Sequence, residues 1–299
     1  MDITVPESCS GLRLDQALAR LFADFSRSRL AAWIKQERVQ LNGAPAVPSQ
    51  KVWAGDRVNV EPEFDAAIDE PTPIALAVVY EDPSILVINK PPGLVVHPGA
   101  GNPGNTLLNA LLHRSRTLAV LPRAGIVHRL DKDTSGLLVV AKTMSSHADL
   151  VRQLKTHAAQ REYLVLVHGR LPATGAVKTG IGRHPRRRTQ MSVLASGKPA
   201  LTHFEVIERF ADCTVARESL ATGRTHQIRV HMQSIGHPVV GDPVYGYKHA
   251  SRKPLAAFPR QALHAARLRF LHPGTHEQVS FTAEPPADMK TLLRLVRAS

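Results

Sequence analysis

The residues of this chain best suited to chemistry lie together in the stretch GIVHRLDKDTSGLLVVAK, positions 125–142. Charged and hydroxyl side chains fill its centre, and apolar residues flank them on both sides. An unpaired buried charge is costly, so such a cluster indicates a functional site. Asp131 is its strongest candidate, because an ionised carboxylate can act as a nucleophile or a base. On local sequence alone, an Asx turn closed by Asp131 explains the residue equally well.

A second polar stretch, LATGRTHQIRVH at 220–231, contains a turn followed by a predicted helix that carries Arg229. Ile228 and Val230 flank this arginine, which favours a partly buried position over a solvated helix face. A buried guanidinium needs an acidic partner or a phosphate, and Asp131 is one candidate partner.

The third candidate is Tyr163, which stands at the start of the apolar run 164–167. A tyrosine at the start of a strand usually packs into the core. Its ring can instead stack on a nucleobase, and the local sequence leaves both interpretations open.

The charge of the chain indicates a polyanionic partner. Lysine and arginine number 38 against 25 acidic residues, which gives a net charge of +13 and a pI near 10.3. Nucleic acid is favoured over a membrane surface. The loop GRHPRRR at 182–188 concentrates this charge, and we expect Arg186 and Arg187 to contact phosphates rather than only solvent.

Other site classes are disfavoured. Cys9 and Cys213 are far apart, and the histidines show no metal-ligand spacing, so we expect no metal site. The glycine-rich loop at 90–101 lacks the Gly-Lys-Ser/Thr of a P-loop. DKDTS at 131–135 only partly matches the haloacid-dehalogenase phosphatase motif, which remains a minor alternative. No apolar run approaches the ~18 residues of a membrane span, so we expect a cytoplasmic protein without a membrane partner.

The spacing of apolar residues along the chain predicts the strands and helices that position these residues. Apolar runs predict strands at 84–89, 137–141 and 163–167, and helical spacing predicts helices at 145–157 and 226–235. The connections are mostly too short for parallel crossovers. The pattern therefore favours an α+β domain with a mixed, mainly antiparallel sheet.

The first part of the chain is predicted to form a separate module. The pattern of residues 11–60 indicates two helices, the second capped by Ser26, and then a hairpin turned at Asn-Gly. Basic residues, among them Arg29 and Lys35, accompany the second helix. This order resembles an S4 RNA-binding domain. The acidic, proline-containing residues 61–75 predict an extended linker, and 76–299 the catalytic domain.

Several motifs together resemble one enzyme family. HRLDKDTSGLLVVAK, the Arg161–Tyr163 triplet, LATGRTHQIRVH, RQALHAARLRFLHP at 260–273 and LVVHPGAGNPGNTLLNALLH at 94–113 are similar, in order, to the motifs of the RluA-type pseudouridine synthases. The resemblance covers nearly the whole chain. It implies the pseudouridine synthase fold and isomerisation of uridine to pseudouridine without a cofactor.

The resemblance also implies a role for each site residue. Asp131 would act at the ribose, Tyr163 would stack on the flipped uracil, and Arg229 would hold Asp131 ionised. Further residues would bind the substrate or RNA: Leu263, Arg129, Arg224, Arg29, Lys35, Arg186 and Arg187. Many members carry Lys-x-Tyr where this chain has Arg161, which keeps the basic group.

The resemblance finally implies a partner and leaves its details open. We expect 23S rRNA or the large-subunit precursor as substrate, with the helix 69 loop as target, and a monomeric enzyme. Other 23S uridines, or a largely non-catalytic role in ribosome assembly, are the alternatives.

Overall fold

The structure is a computed structural model that describes residues 1–22, 27–61, 70–99, 101–247 and 253–298. The side chains at 28, 29, 253 and 254 also lie outside this description, as does the predicted cap Ser26. No helix in the described segments is long and apolar enough to cross a membrane.

The N-terminal part is a small four-stranded antiparallel sheet with two helices. Its elements are β1 (Asp2–Thr4), α1 (Leu14–Leu21), α2 (Arg27–Lys35), β2 (Val39–Leu41), β3 (Ala44–Pro45) and β4 (Arg57–Val60). The sheet order is β1-β4-β2-β3. Leu14 and Leu18 of α1 pack with Leu30 of α2 and Val58 of β4 into a separate core. The sheet also includes β1, which lies before the interval 11–60.

Most of the predicted linker, residues 62–69, lies outside the described residues. Its C-terminal end contacts the helix α3 (Leu107–Arg114). The Asn109 side-chain amide donates to the Glu70 carbonyl at 2.8 Å, and the Thr72 amide donates to the Asn109 carbonyl. This end of the segment therefore belongs with the large domain.

The large domain is built on one ten-stranded sheet. Its strands are β5 (Ala77–Glu81), β6 (Ile85–Lys90), β7 (Ser135–Ala141), β8 (Gln160–His168), β9 (Thr174–Arg183), β10 (Met191–Val193), β11 (Lys198–Arg209), β12 (Cys213–Leu220), β13 (Leu263–Leu271) and β14 (Gln278–Thr282). The order is β10-β9-β11-β12-β8-β13-β7-β6-β5, and β14 pairs with β13. All pairs are antiparallel except β13 with β7. The prediction of a mixed, mainly antiparallel sheet is confirmed.

Helices cover both faces of the central strands. They are α3, α4 (Met144–Lys155), α5 (Gln227–Ser234), α6 (Lys253–Ala256) and α7 (Ala287–Arg297), with short 3₁₀ turns at Arg116–Val120 and Pro122–Gly125. Successive side chains of a strand point to opposite faces. Leu86 of β6 accordingly packs in the cluster that contains α3 and α5, whereas Val87 packs with Leu150 of α4. β7 is consequently buried at every position.

The parallel pairing of β7 with β13 depends on a glycine. Gly136 lies beside Ala265 with a φ of 115°, and a Cβ there would come within 2.3 Å of the Ala265 carbonyl oxygen. The two strands therefore approach closely where both begin, beside the turn that carries Asp131.

Candidate active site

A cavity of about 670 Å³ opens over the central strands. The turn before β7, the strand β8 and the loop between β12 and α5 contribute its walls. Asp131, Tyr163 and Arg229 all line it. The three residues singled out from separate sequence motifs therefore meet in one pocket.

Arg229 joins the carboxylate of Asp131 to that of Asp242. Its Nη1 donates to Asp131 Oδ2 at 2.9 Å, while Nε and Nη2 donate to the two oxygens of Asp242 at 2.6 and 2.9 Å. The Arg229 side chain is 5% exposed, Asp242 is fully buried and Asp131 is 17% exposed. The predicted Asp131–Arg229 pair is present, and the carboxylate is the more exposed of its two members.

Asp242 is one of the site residues that the sequence did not reveal. Its Oδ1 also accepts the amides of Val244 and Tyr245, so locally it is an ordinary Asx-turn residue of a Gly-Asp-Pro turn. Burial alone lowers the pKa of Arg229, but the hydrogen bonds and charges of Asp242 and Asp131 raise that pKa above its usual value. Arg229 therefore stays charged and fixed.

A buried lysine secures the turn that carries Asp131. Lys90 is fully buried, and its Nζ donates to the carbonyls of Pro91, Leu94 and Lys132 at 2.8–2.9 Å. Burial lowers the pKa of Lys90 to about 7. The amide of Thr134 closes the turn onto the Asp131 carbonyl. The backbone carbonyl of Asp131 therefore closes the turn, rather than its side chain as an Asx turn would require, and the carboxylate lines the pocket and pairs with Arg229.

The C-terminal motif holds the same turn from the other side. Arg260 donates to the Asp133 carbonyl at 2.9 Å and forms a two-point pair with Asp288. Gln261 donates to the Thr134 hydroxyl at 3.2 Å. These contacts leave Asp131 little freedom to move relative to the sheet.

Tyr163 and Leu263 form the apolar part of the pocket. Tyr163 lies between Glu218 of β12 and Ala265 of β13, and its side chain is 5% exposed. Leu263, at the start of β13, lies beside Val165 of β8. Burial raises the pKa of the Tyr163 phenol, and the charge of Asp131 adds to this effect. The phenol therefore stays protonated at neutral pH.

Arg161 occupies the wall beside Tyr163. Its guanidinium lies against Gly223, where a Cβ would come within 2.8 Å of Nη1. A side chain at position 223 would displace the Arg161 guanidinium, so the glycine lets this group lie against the turn. The basic group of the Arg161–Tyr163 triplet therefore faces the pocket.

The predicted RNA-binding residues fall into two places. Arg129 and Arg224 line the pocket and are exposed. Arg186 and Arg187 lie in the exposed loop between β9 and β10, and Lys35 is exposed at the end of α2. The side chain of Arg29 is outside the described part of the chain. The structure therefore does not bring all of the predicted RNA-binding residues into the pocket.

The match to known proteins agrees with this geometry. Residues 84–234, just over half of the chain, match the RNA pseudouridylate synthase family, and residues 12–58 match the S4 domain. The chain belongs to the RNA pseudouridylate synthase family. The predictions of the family, of the fold and of an RNA pseudouridine synthase activity are confirmed.

Individual relatives extend the match to almost the full length. The chain is 50% identical to ribosomal large subunit pseudouridine synthase D of Nitrosomonas europaea, covering 99% of this chain and 88% of that protein. It is also 50% identical to the protein of the same name from Escherichia coli K12, covering 99% and 94%. Among solved structures, human RNA pseudouridylate synthase domain containing 1 is 26% identical with a TM-score of 0.58, covering 80% of this chain and 98% of that one.

Proposed function

We propose that this enzyme converts uridines of 23S rRNA, in the large ribosomal subunit or its precursor, to pseudouridine, with Asp131 as the catalytic residue. The observation that carries the proposal is the hydrogen bond by which Arg229 fixes the Asp131 carboxylate beside Tyr163. One fixed carboxylate and one aromatic ring therefore line a cavity of about 670 Å³.

The isomerisation balances within a single nucleotide. The C1′–N1 bond of uridine breaks and a C1′–C5 bond forms, while C5 loses a proton and N1 gains one. No electron is gained or lost, so the reaction requires no redox cofactor. Because the base must leave the RNA helix to reach the pocket, the enzyme must flip it out.

Each pocket residue has a role that its surroundings support. Arg229 donates a hydrogen bond to Oδ2 of Asp131, so Oδ1 is the oxygen that acts at the ribose. Tyr163 stacks on the uracil, and its raised pKa favours stacking over accepting the C5 proton at neutral pH. Leu263 packs against the base edge, and Arg129 fills the space that the flipped base leaves.

The exposed basic residues supply affinity for the RNA. Phosphates are contacted by Arg224 at the pocket, by Arg186 and Arg187 on the β9–β10 loop, and by Arg29 and Lys35 of the S4 domain. A ribosomal substrate implies that the enzyme acts in the cytoplasm, and we propose that it does so as a monomer.

The proposed target is the helix 69 loop expected from the sequence motifs, and two relatives named ribosomal large subunit pseudouridine synthase D are consistent with a target in the large-subunit RNA. The test is tritium release by the purified protein from RNA labelled at uracil C5. We expect release from a helix 69 stem-loop and none when its loop uridines are replaced by cytidine. Release only from other 23S fragments would overturn the target, and no release from any 23S fragment would overturn the proposal. Pseudouridine mapping in rRNA from cells with and without the gene checks the sites.

A further inference from the structure

His226 lies beside the catalytic carboxylate in a backbone conformation that side chains rarely adopt. It has φ 56° and ψ 23°, in the left-handed region, and it immediately precedes α5. Its Nε2 is 3.8 Å from Asp131 Oδ1, the oxygen that Arg229 does not contact. The imidazole also lines the pocket.

The other ring nitrogen of His226, Nδ1, contacts the hydroxyl of a buried tyrosine. His226 Nδ1 lies 2.8 Å from the hydroxyl of Tyr245, and this hydroxyl accepts the amide of Met191 at 2.8 Å. The two rings meet edge to face at 5.6 Å, and Tyr245 is itself buried at 3% exposure.

These contacts select one tautomer of His226. The Tyr245 hydroxyl oxygen already accepts a hydrogen bond from the Met191 amide. The proton of the same hydroxyl finds an acceptor when it is donated to His226 Nδ1. The opposite arrangement would bury an unsatisfied hydroxyl and direct an Nε2 lone pair at a carboxylate. The hydrogen therefore resides on Nε2 and points toward Asp131.

We propose that His226 is a positioning residue, which uses its Nε2–H to orient and stabilise the ionised Oδ1 of Asp131, while Tyr245 fixes its tautomer. The inference rests on the proposed function and deepens it. A left-handed backbone at position 226 is what places the ring between Tyr245 and Asp131.

The imidazole remains neutral in this arrangement. Burial lowers the pKa of His226, the charges of Arg229 and Arg129 act in the same direction, and those of Asp131 and Asp242 oppose them. The groups that face the ring are these four and Tyr245. A neutral donor can support the carboxylate without transferring a proton to it.

Single-turnover rates against pH, with a saturating excess of protein over a helix 69 stem-loop, test the assignment. We expect His226→Ala to lower the rate about tenfold, because the carboxylate loses the polar N–H group 3.8 Å from Oδ1 that orients it. The acid limb of the profile should move to higher pH, because the ionised carboxylate has lost a donor. The RNA Kd should be unchanged.

Conservative variants separate positioning from folding. His226→Gln can place an amide N–H donor near the position of the imidazole Nε2, so it should restore part of the rate and move the acid limb back toward its original position. Tyr245→Phe should be intermediate, since the tautomer is no longer fixed. Tyr247→Phe is the matched control, because that exposed phenol donates to the Gly236 carbonyl and should behave as wild type.

Each outcome decides one question. Equal losses in His226→Ala and His226→Gln with an unmoved acid limb would overturn the positioning role, and so would a wild-type profile in His226→Ala. Wild-type turnover would still uphold the proposed function in either case. A wild-type protein that turns over no 23S fragment would instead remove the proposed function itself.

Discussion

The arginines that surround the Asp131 turn and those of the β9–β10 loop differ in whether carboxylates bind them. In the pocket region, Arg229 bridges Asp131 and Asp242 and Arg260 pairs with Asp288. Arg186 and Arg187 are exposed, and among the described residues no carboxylate lies within ion-pair distance of them. Fixed charges suit chemistry that needs one geometry, and unengaged charges suit phosphates that arrive with the RNA.

This contrast predicts that the two regions affect different measurements. Variants of the pocket should change the rate on bound RNA, and variants of the loop should change the affinity. The pocket variants should have the larger effects, because they disturb the reacting groups themselves.

Replacing Arg229 by Lys should lower the single-turnover rate about a hundredfold. An ammonium keeps the charge but lacks the planar fork that gives Asp242 two hydrogen bonds and Asp131 a third, so Asp131 loses its fixed orientation. The RNA Kd should stay within about twofold of wild type. Arg217→Lys is the matched control, because Arg217 forms an exposed ion pair with Glu205. This variant should leave the single-turnover rate nearly unchanged. A rate within about threefold of wild type in Arg229→Lys would show that catalysis does not need the contacts of the guanidinium with both carboxylates.

Replacing Arg186 and Arg187 together by Ala should weaken RNA binding about tenfold at moderate salt. The slope of log K against log salt should fall by roughly 1.5 if each arginine meets one phosphate. Filter binding over a salt series measures both quantities.

The control for this loop variant removes the same charge elsewhere. The double variant Arg152→Ala/Arg217→Ala takes away two exposed arginines that already pair with carboxylates. If both double variants lower the salt slope equally, net charge rather than the loop binds the RNA.

Glu218 of β12 is a buried acid, in contrast to the paired acids beside Arg229. Among the described residues, neither of its carboxyl oxygens has a hydrogen-bond partner, and burial raises the pKa of Glu218 well above its ordinary value. The folded protein therefore keeps this proton at a pH where the unfolded chain has lost it. Folding stability consequently decreases as pH rises from the ordinary range toward the raised pKa.

Glu218→Gln should remove this penalty. We expect the free energy of unfolding to rise by about 1–2 kcal/mol at neutral pH, with the gain vanishing near pH 4. Denaturant titrations at several pH values measure it. Glu205→Gln, at an exposed position of β11 that is 60% accessible, is the control. An equal pH dependence of stability in Glu218→Gln and wild type would contradict the buried neutral state.

The strands and helices of the large domain were predictable where their pattern is local. The runs at 84–89, 137–141 and 163–167 overlap β6, β7 and β8, and the helices α4 and α5 begin and end within two residues of prediction. The partner of Arg229 was predictable in part, because a buried arginine requires an acid and Asp131 was a candidate.

The remaining site residues were hidden because their roles arise only from long-range contacts. Asp242 has the local sequence of a turn, and Lys90 precedes a proline-glycine loop like many exposed lysines. Neither residue shows in its own neighbourhood that it will be buried against the Asp131 turn. The pairing of β1 with the small sheet was missed for the same reason, since β4 lies more than fifty residues away.

The central claim is that Asp131 performs the chemistry while other residues bind the RNA. The most direct test measures tritium release and RNA affinity on Asp131→Asn, with Asp133→Asn as the matched neighbour. An asparagine can still accept the Arg229 hydrogen bond but cannot supply an ionised carboxylate. We predict a wild-type Kd and salt slope with at least a roughly thousandfold lower rate for Asp131→Asn, and near-normal turnover for Asp133→Asn. Pseudouridine formation by Asp131→Asn at the wild-type rate would contradict the claim.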